Sequence, residues 1–172
     1  MEKVYLLGKR AVLAIAVLLV MGQTVSAQRL QLNELLALQS QPVEKIRTTL
    51  ESRGWIYDGQ CGGSEEVQRH CFKIGDGKST SLAAVLYVEG NAPSDQVIEY
   101  SVFRQNLISQ VQNNIRNAAA KLLRQEPVSK DVKLRIYQKD KHILVLRGGL
   151  DKQYYSVKVQ QRPAYERMQA AR

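Results

Sequence analysis

The chain has very little of what most catalytic and metal sites are built from. It holds two histidines and two cysteines in 172 residues. There is no Cys-x-x-Cys pair, which removes the usual zinc and thiol-redox spacings. His70 sits beside Cys71, and neighbours along a strand point to opposite faces, which keeps the two off one metal ion. Neither His70 nor His142 has a serine, cysteine or carboxylate at a telling spacing, so each is expected at the surface or its boundary. Gly77-Lys78-Ser79 has the ending of a phosphate-binding loop, but Phe72 stands where that motif needs its first glycine. Asp76-Gly77 is a hairpin-turn signal instead. Asp58, Glu65, Glu66, Asp76 and Glu99 form no pair that sequence places across a scissile bond. No catalytic residue, metal ligand or cofactor is assigned from sequence. Low-complexity linkers and runs of like charge are also missing, so one compact domain is expected.

Apolar runs are scarce as well, and the longest lies at the N-terminus. Lys3, Lys9 and Arg10 precede Ala11–Met21, which is followed by Val25-Ser26-Ala27. A positive start, a short apolar core and small residues form the pattern of a cleaved signal peptide. The expectation is a signal peptide over residues 1–27 and a single exported domain over 28–172, periplasmic or secreted. No later run is long enough for a transmembrane span. The formal charge is +9; residues 1–27 hold three basic residues and one acid, so the remainder carries +7. Such a balance attracts anionic surfaces, lipid headgroups or acidic glycans. Nucleic acid is not expected as a partner, since no binding motif for it is present.

What is there is a regular alternation of patterns. Asn33 is a candidate cap for a short leucine-rich helix, and Ser40 for a second one that starts at Pro42. In that second helix Val43, Ile46 and Leu50 share a face, and Gly54 is placed as its C-terminal stop. Strands are expected at Gly54–Asp58, Val67–Ile74, Ser81–Glu89 and Gln96–Phe103, separated by glycine-rich turns that favour antiparallel hairpins. Leu107, Val111, Ile115, Ala118 and Leu122 give a helical stripe over Gln105–Gln125, closed by Pro127. Three strands follow: Val132, Leu134 and Ile136 alternating with Lys133, Arg135 and Tyr137; Ile143–Leu146; and Tyr155, Val157 and Val159 alternating with polar residues. The segment after Pro163 is read as a helical turn or as disorder. The order α-α-β-β-β-β-α-β-β-β gives an α+β fold of two helix-then-antiparallel-meander halves, with helices packed on the sheet.

The leucine-rich helix, Leu50-x-x-x-Gly54-Trp55, Phe72, Leu86-Tyr87, Ile98-x-Tyr100, the long helix and Tyr155-x-Val157-x-Val159 follow in that order. This pattern resembles a group of small exported proteins of Bacteroidetes without an assigned activity. The resemblance implies an exported α+β domain and no reaction, and it supplies no functional residues.

Cys61 and Cys71 lie one near the end of the first strand and one inside the second. A hairpin brings them together, and an exported chain favours a disulfide between them. Trp55 is expected in the core. Among the strand tyrosines, Tyr137 between Arg135 and Lys139, and Tyr154 near Lys152, are the best surface candidates. Arg135, Tyr137, Lys139 and Tyr154 therefore form the candidate binding patch. The leading expectation is a non-catalytic exported domain that binds a partner or ligand, either an anionic envelope component or another envelope protein. The alternatives are an envelope hydrolase whose carboxylates or histidine meet only in the fold, and an inhibitor or assembly factor.

Overall fold

Two helices lead into a meander, and a third helix leads into a second meander. In the computed structural model α1 spans Leu32–Gln39 and α2 Val43–Glu51. The first meander is β1 (Ile56–Gly63), β2 (Gln68–Gly75), β3 (Leu82–Glu89) and β4 (Val97–Val102). Helix α3 is Gln105–Asn117, and the second meander is β5 (Lys121–Pro127), β6 (Lys133–Lys139), β7 (His142–Gly148) and β8 (Tyr155–Gln161), followed by α4 (Arg162–Ala170). The residues described are 30–63, 67–75, 82–103, 105–148 and 155–171, with backbone alone at 105, 106 and 108. Gln31–Arg172 groups as one compact unit.

All eight strands join one antiparallel sheet in the order β1-β2-β3-β4-β8-β7-β6-β5. The α+β architecture of two helix-then-meander halves is the one expected, and the halves meet through their last strands, β4 and β8. One correction makes them more alike. The helix expected over Gln105–Gln125 ends at Asn117, and its last third is the edge strand β5. Ala119 at φ 52 breaks the helix, a left-handed conformation that commonly ends helices. The leucines counted in the helical stripe, Leu122 and Leu123, are then 49% and 46% exposed. Backbone pairing with β6 decides the outcome, which a local period cannot register. Each half thus ends in four strands, the first led by two helices and the second by one.

Local signals held at the second helix. Gly54 adopts φ 82, its N–H donates to the Glu51 carbonyl, and the Trp55 N–H donates to that of Leu50, the paired bonds of a glycine-terminated helix. The expected caps did not hold. Helix α1 starts from Gln31, whose N–H donates to the Glu34 carboxylate, and Ser40 closes α1 instead of opening α2. The segment after Pro163 lies in α4, whose Ala164 is buried.

Register places one row of residues across the whole sheet: Tyr57, Phe72, Leu86, Tyr100, Val157, Leu146, Arg135 and Gln125 stand opposite one another in turn. Phe72, Leu86, Tyr100, Val157 and Leu146 are buried and form the spine of the core. Trp55 is buried and sets its ring 6.2 Å from that of Tyr100, joining the end of α2 to the sheet as expected. Tyr100 is core, not surface. Past Leu146 the row turns polar at Arg135, and there the sheet opens into a pocket.

Candidate functional site

Strand alternation sets the site's first wall. On β6, Lys133, Arg135 and Tyr137 share one face because side chains repeat every second residue. They stand opposite Gly148, Leu146 and Leu144 of β7. This face is continuous with the core row, so the basic, tyrosine-bearing stripe is the wall of a pocket under α3 and not an open sheet surface. Helix α3 supplies the opposite wall: Gln112, Ile115 and Arg116 fall within one helical turn. The turn between β5 and β6 adds Lys130 and Asp131, and Tyr155 opens β8 at the back. The pocket volume is about 570 Å³, within the range of small-ligand sites.

The floor is apolar and fixed. Ile115, Leu146 and Tyr155 are buried. The Gln112 amide donates to the Tyr155 hydroxyl at 2.7 Å, tying α3 to β8 across the pocket. Gly148 lets that ring lie flat: a Cβ there would come within 2.7 Å of it.

The rim is cationic. Arg116, Lys130, Lys133 and Arg135 face one carboxylate, Asp131. Among the described residues none of those four cations forms an ion pair; Arg135 Nε donates to the neutral amide oxygen of Gln125 at 3.0 Å. Several other charges on the sheet are paired. Arg69 and Lys158 both reach Glu99, at 3.5 and 3.2 Å, and Lys73 reaches Asp58 at 2.8 Å. Unpaired cations around a concave apolar floor give the pocket a positive field that attracts anions.

Of the residues singled out from sequence, Arg135 and Tyr137 come together in this pocket. Lys139 lies further along the same strand, paired with Asp140 at 3.6 Å, and does not line it. Tyr154 lies outside the described residues, as do Glu65, Glu66 and Asp76–Ser79. Cys61 and Cys71 form the expected disulfide between β1 and β2, with Cα atoms 5.9 Å apart.

Among the described residues the hydrolase candidates do not converge. Asp58 is on β1 and Glu99 on β4, with two strands between them, and each is taken up by the ion pairs above. The Tyr57 hydroxyl and His70 Nδ1 are 2.7 Å apart, with no carboxylate on that imidazole among the described residues. His142 corrects the expectation of a boundary residue: it is 7% exposed, both ring nitrogens are buried without a partner among the described residues, and burial lowers its pKa. Among the described residues no group of three or more His, Cys, Asp or Glu is placed to hold a metal ion. A second, shallower hollow of about 380 Å³ beside His70 carries Glu44 and no lysine or arginine.

Sequence reasoning missed Gln112, Arg116, Lys130, Lys133 and Tyr155 as parts of one site. Gln112, Arg116 and Lys133 carried only the signal of a polar face, Lys130 lay in a turn, and Tyr155 stood in the apolar half of its strand. No protein-family model matches the chain. No curated protein and no solved structure shows significant similarity to it.

Proposed function

We propose that this chain is an exported, non-catalytic binding domain whose ligand is a small organic anion held in the pocket between α3 and the second meander. The carrying observation is the rim of Arg116, Lys130, Lys133 and Arg135 around one carboxylate and an apolar, tyrosine-walled floor. A carboxylate or phosphate would meet the two guanidinium groups, which hydrogen-bond such anions at two points. The apolar part of the ligand would lie on Tyr137, Ile115 and Leu146. Export is supported by the signal-peptide pattern of residues 1–27 and by the disulfide, a bond kept in oxidising compartments. An exported anion-binding domain also agrees with the resemblance to small exported proteins of Bacteroidetes, and it makes an anionic envelope component the expected partner.

The test is calorimetric titration of the full chain with inorganic phosphate, glycerol 3-phosphate and glucuronate. At least one should bind, more weakly as salt rises. The double variant Arg116→Ala, Arg135→Ala should lose about tenfold or more, the scale of a lost charge-assisted hydrogen bond. Absence of binding by all three, or equal binding by the variant, rejects the proposal.

A further inference from the structure

An apolar row runs off the edge of the sheet beside the pocket. Ile98, Val159, Leu144 and Tyr137 stand opposite one another across β4, β8, β7 and β6, and the row continues on β5 as Leu122. The first three are buried, while Leu122 is 49% exposed. Leu123, displaced at the irregularity between Leu122 and Arg124, is 46% exposed, and Val128 in the next turn is 48% exposed. Lys121 and Arg124 flank the two leucines and Lys130 and Lys133 follow Val128, against the acids Glu126, which pairs with Arg124, and Asp131. From Lys121 to Val128 this edge extends roughly 23 Å at the rise of a strand.

The same edge is poorly suited to another strand. Its pairing is interrupted by the bulge, it ends at Pro127, which has no N–H to donate, and it carries Lys121, Arg124 and Glu126. Bulges, proline and charges are the devices that stop edge-to-edge pairing. Its exposed leucines therefore suit a partner that needs no backbone register. An anionic bilayer surface is such a partner. Apolar side chains reach the acyl boundary, lysine and arginine lie among the phosphates, and the unpaired backbone stays at the hydrated headgroup level.

We infer that the β5 edge and the turn after it dock on an anionic lipid bilayer, with the adjoining basic pocket receiving the phosphate of one lipid headgroup. This rests on the anion-binding reading of the pocket and adds the source of the anion. The test is hydrogen–deuterium exchange of the full chain with vesicles of phosphatidylglycerol and phosphatidylcholine. A local readout separates docking by this edge from attachment through the apolar N-terminal segment. Exchange across residues 121–131 should slow several-fold with mixed vesicles and not with phosphatidylcholine alone. The double variant Leu122→Ser, Leu123→Ser should lose that protection and still bind glycerol 3-phosphate. Glycerol 3-phosphate binding without vesicle protection at 121–131 overturns the bilayer and leaves the pocket reading standing. Loss of both overturns both. Protection that grows with protein concentration in the absence of vesicles assigns the edge to a second copy and also overturns the bilayer.

Discussion

His142 is the residue whose chemistry is least at ease with its position. It opens β7 opposite Gln161 and Lys139, buried, with neither ring nitrogen partnered among the described residues. Burial is the main reason its pKa falls; Lys141 adds to the effect and Asp140 opposes it. The folded state resists protonation more than the unfolded chain does. Stability from this group is therefore full above the ordinary imidazole value of about 6.5 and is lost as pH falls towards the lowered folded value. His142→Leu should flatten the decline between pH 7 and pH 5 and keep stability at pH 7 at or above that of the parent. Denaturant titrations at both pH values check this, and an unchanged pH slope would clear His142 of the effect. Buried polarity is handled differently at Gln39 and Gln96, 0% and 1% exposed. The Gln39 amide donates to the carbonyls of Pro93 and Gln96, both at 3.0 Å, and the Gln96 amide donates back to those of Gln39 and Gln41, both at 3.2 Å. The pair closes the open carbonyl end of α1 onto the β3–β4 loop. Gln96→Leu strands those carbonyls and should cost about 2–3 kcal/mol, read as a lower denaturation midpoint with an unchanged slope.

The boundary between α3 and β5 shows how far local pattern reaches. Leu107, Val111 and Ile115 are buried as their spacing requires, so the helix was legible where its stripe meets the sheet. Beyond Asn117 the same spacing continues, but Ala119 sits at φ 52, where an L-residue with a Cβ is held at a cost of about 1–2 kcal/mol. Ala119→Gly should therefore raise stability by about 1 kcal/mol. If the variant is instead less stable, the turn at Ala119 does not set the break. The glycine stop at Gly54, the hairpins and the cysteine pair were legible for a related reason: each is decided within about a dozen residues of chain. The glutamine clamp was not, because its partners lie 57 positions apart. Nor was the pocket as a unit. Arg135 and Tyr137 stood out from strand alternation, while Arg116 and Lys130 join them only through the pairing of β5 with β6 and the tie of α3 to β8.

Across the whole molecule the disulfide and the pocket occupy opposite ends of one sheet. The Cys61–Cys71 bond ties β1 to β2, and the pocket's basic wall is β6, five strand positions away from β2 in the order of the sheet. At about 4.8 Å per strand that is roughly 24 Å, beyond the distance at which substitutions usually influence each other. The strands between them are held by core residues such as Leu86, Tyr100, Val157 and Leu144, none more than 2% exposed. A close-packed core of this kind keeps its arrangement when one edge is loosened. The bond closes a short loop, a sequence separation of 10, and in the chain-entropy account its loss costs about 2–3 kcal/mol. The double variant Cys61→Ser, Cys71→Ser should therefore be less stable by that amount, read as a lower denaturation midpoint. In buffer where it stays folded, it should bind glycerol 3-phosphate within about twofold of the parent, as additivity of distant sites requires. The parent, unfolded without reductant, should show no thiol to a maleimide. A variant that loses stability and anion affinity together would show that the sheet transmits strain from one edge to the other, and that the two halves work as one coupled unit.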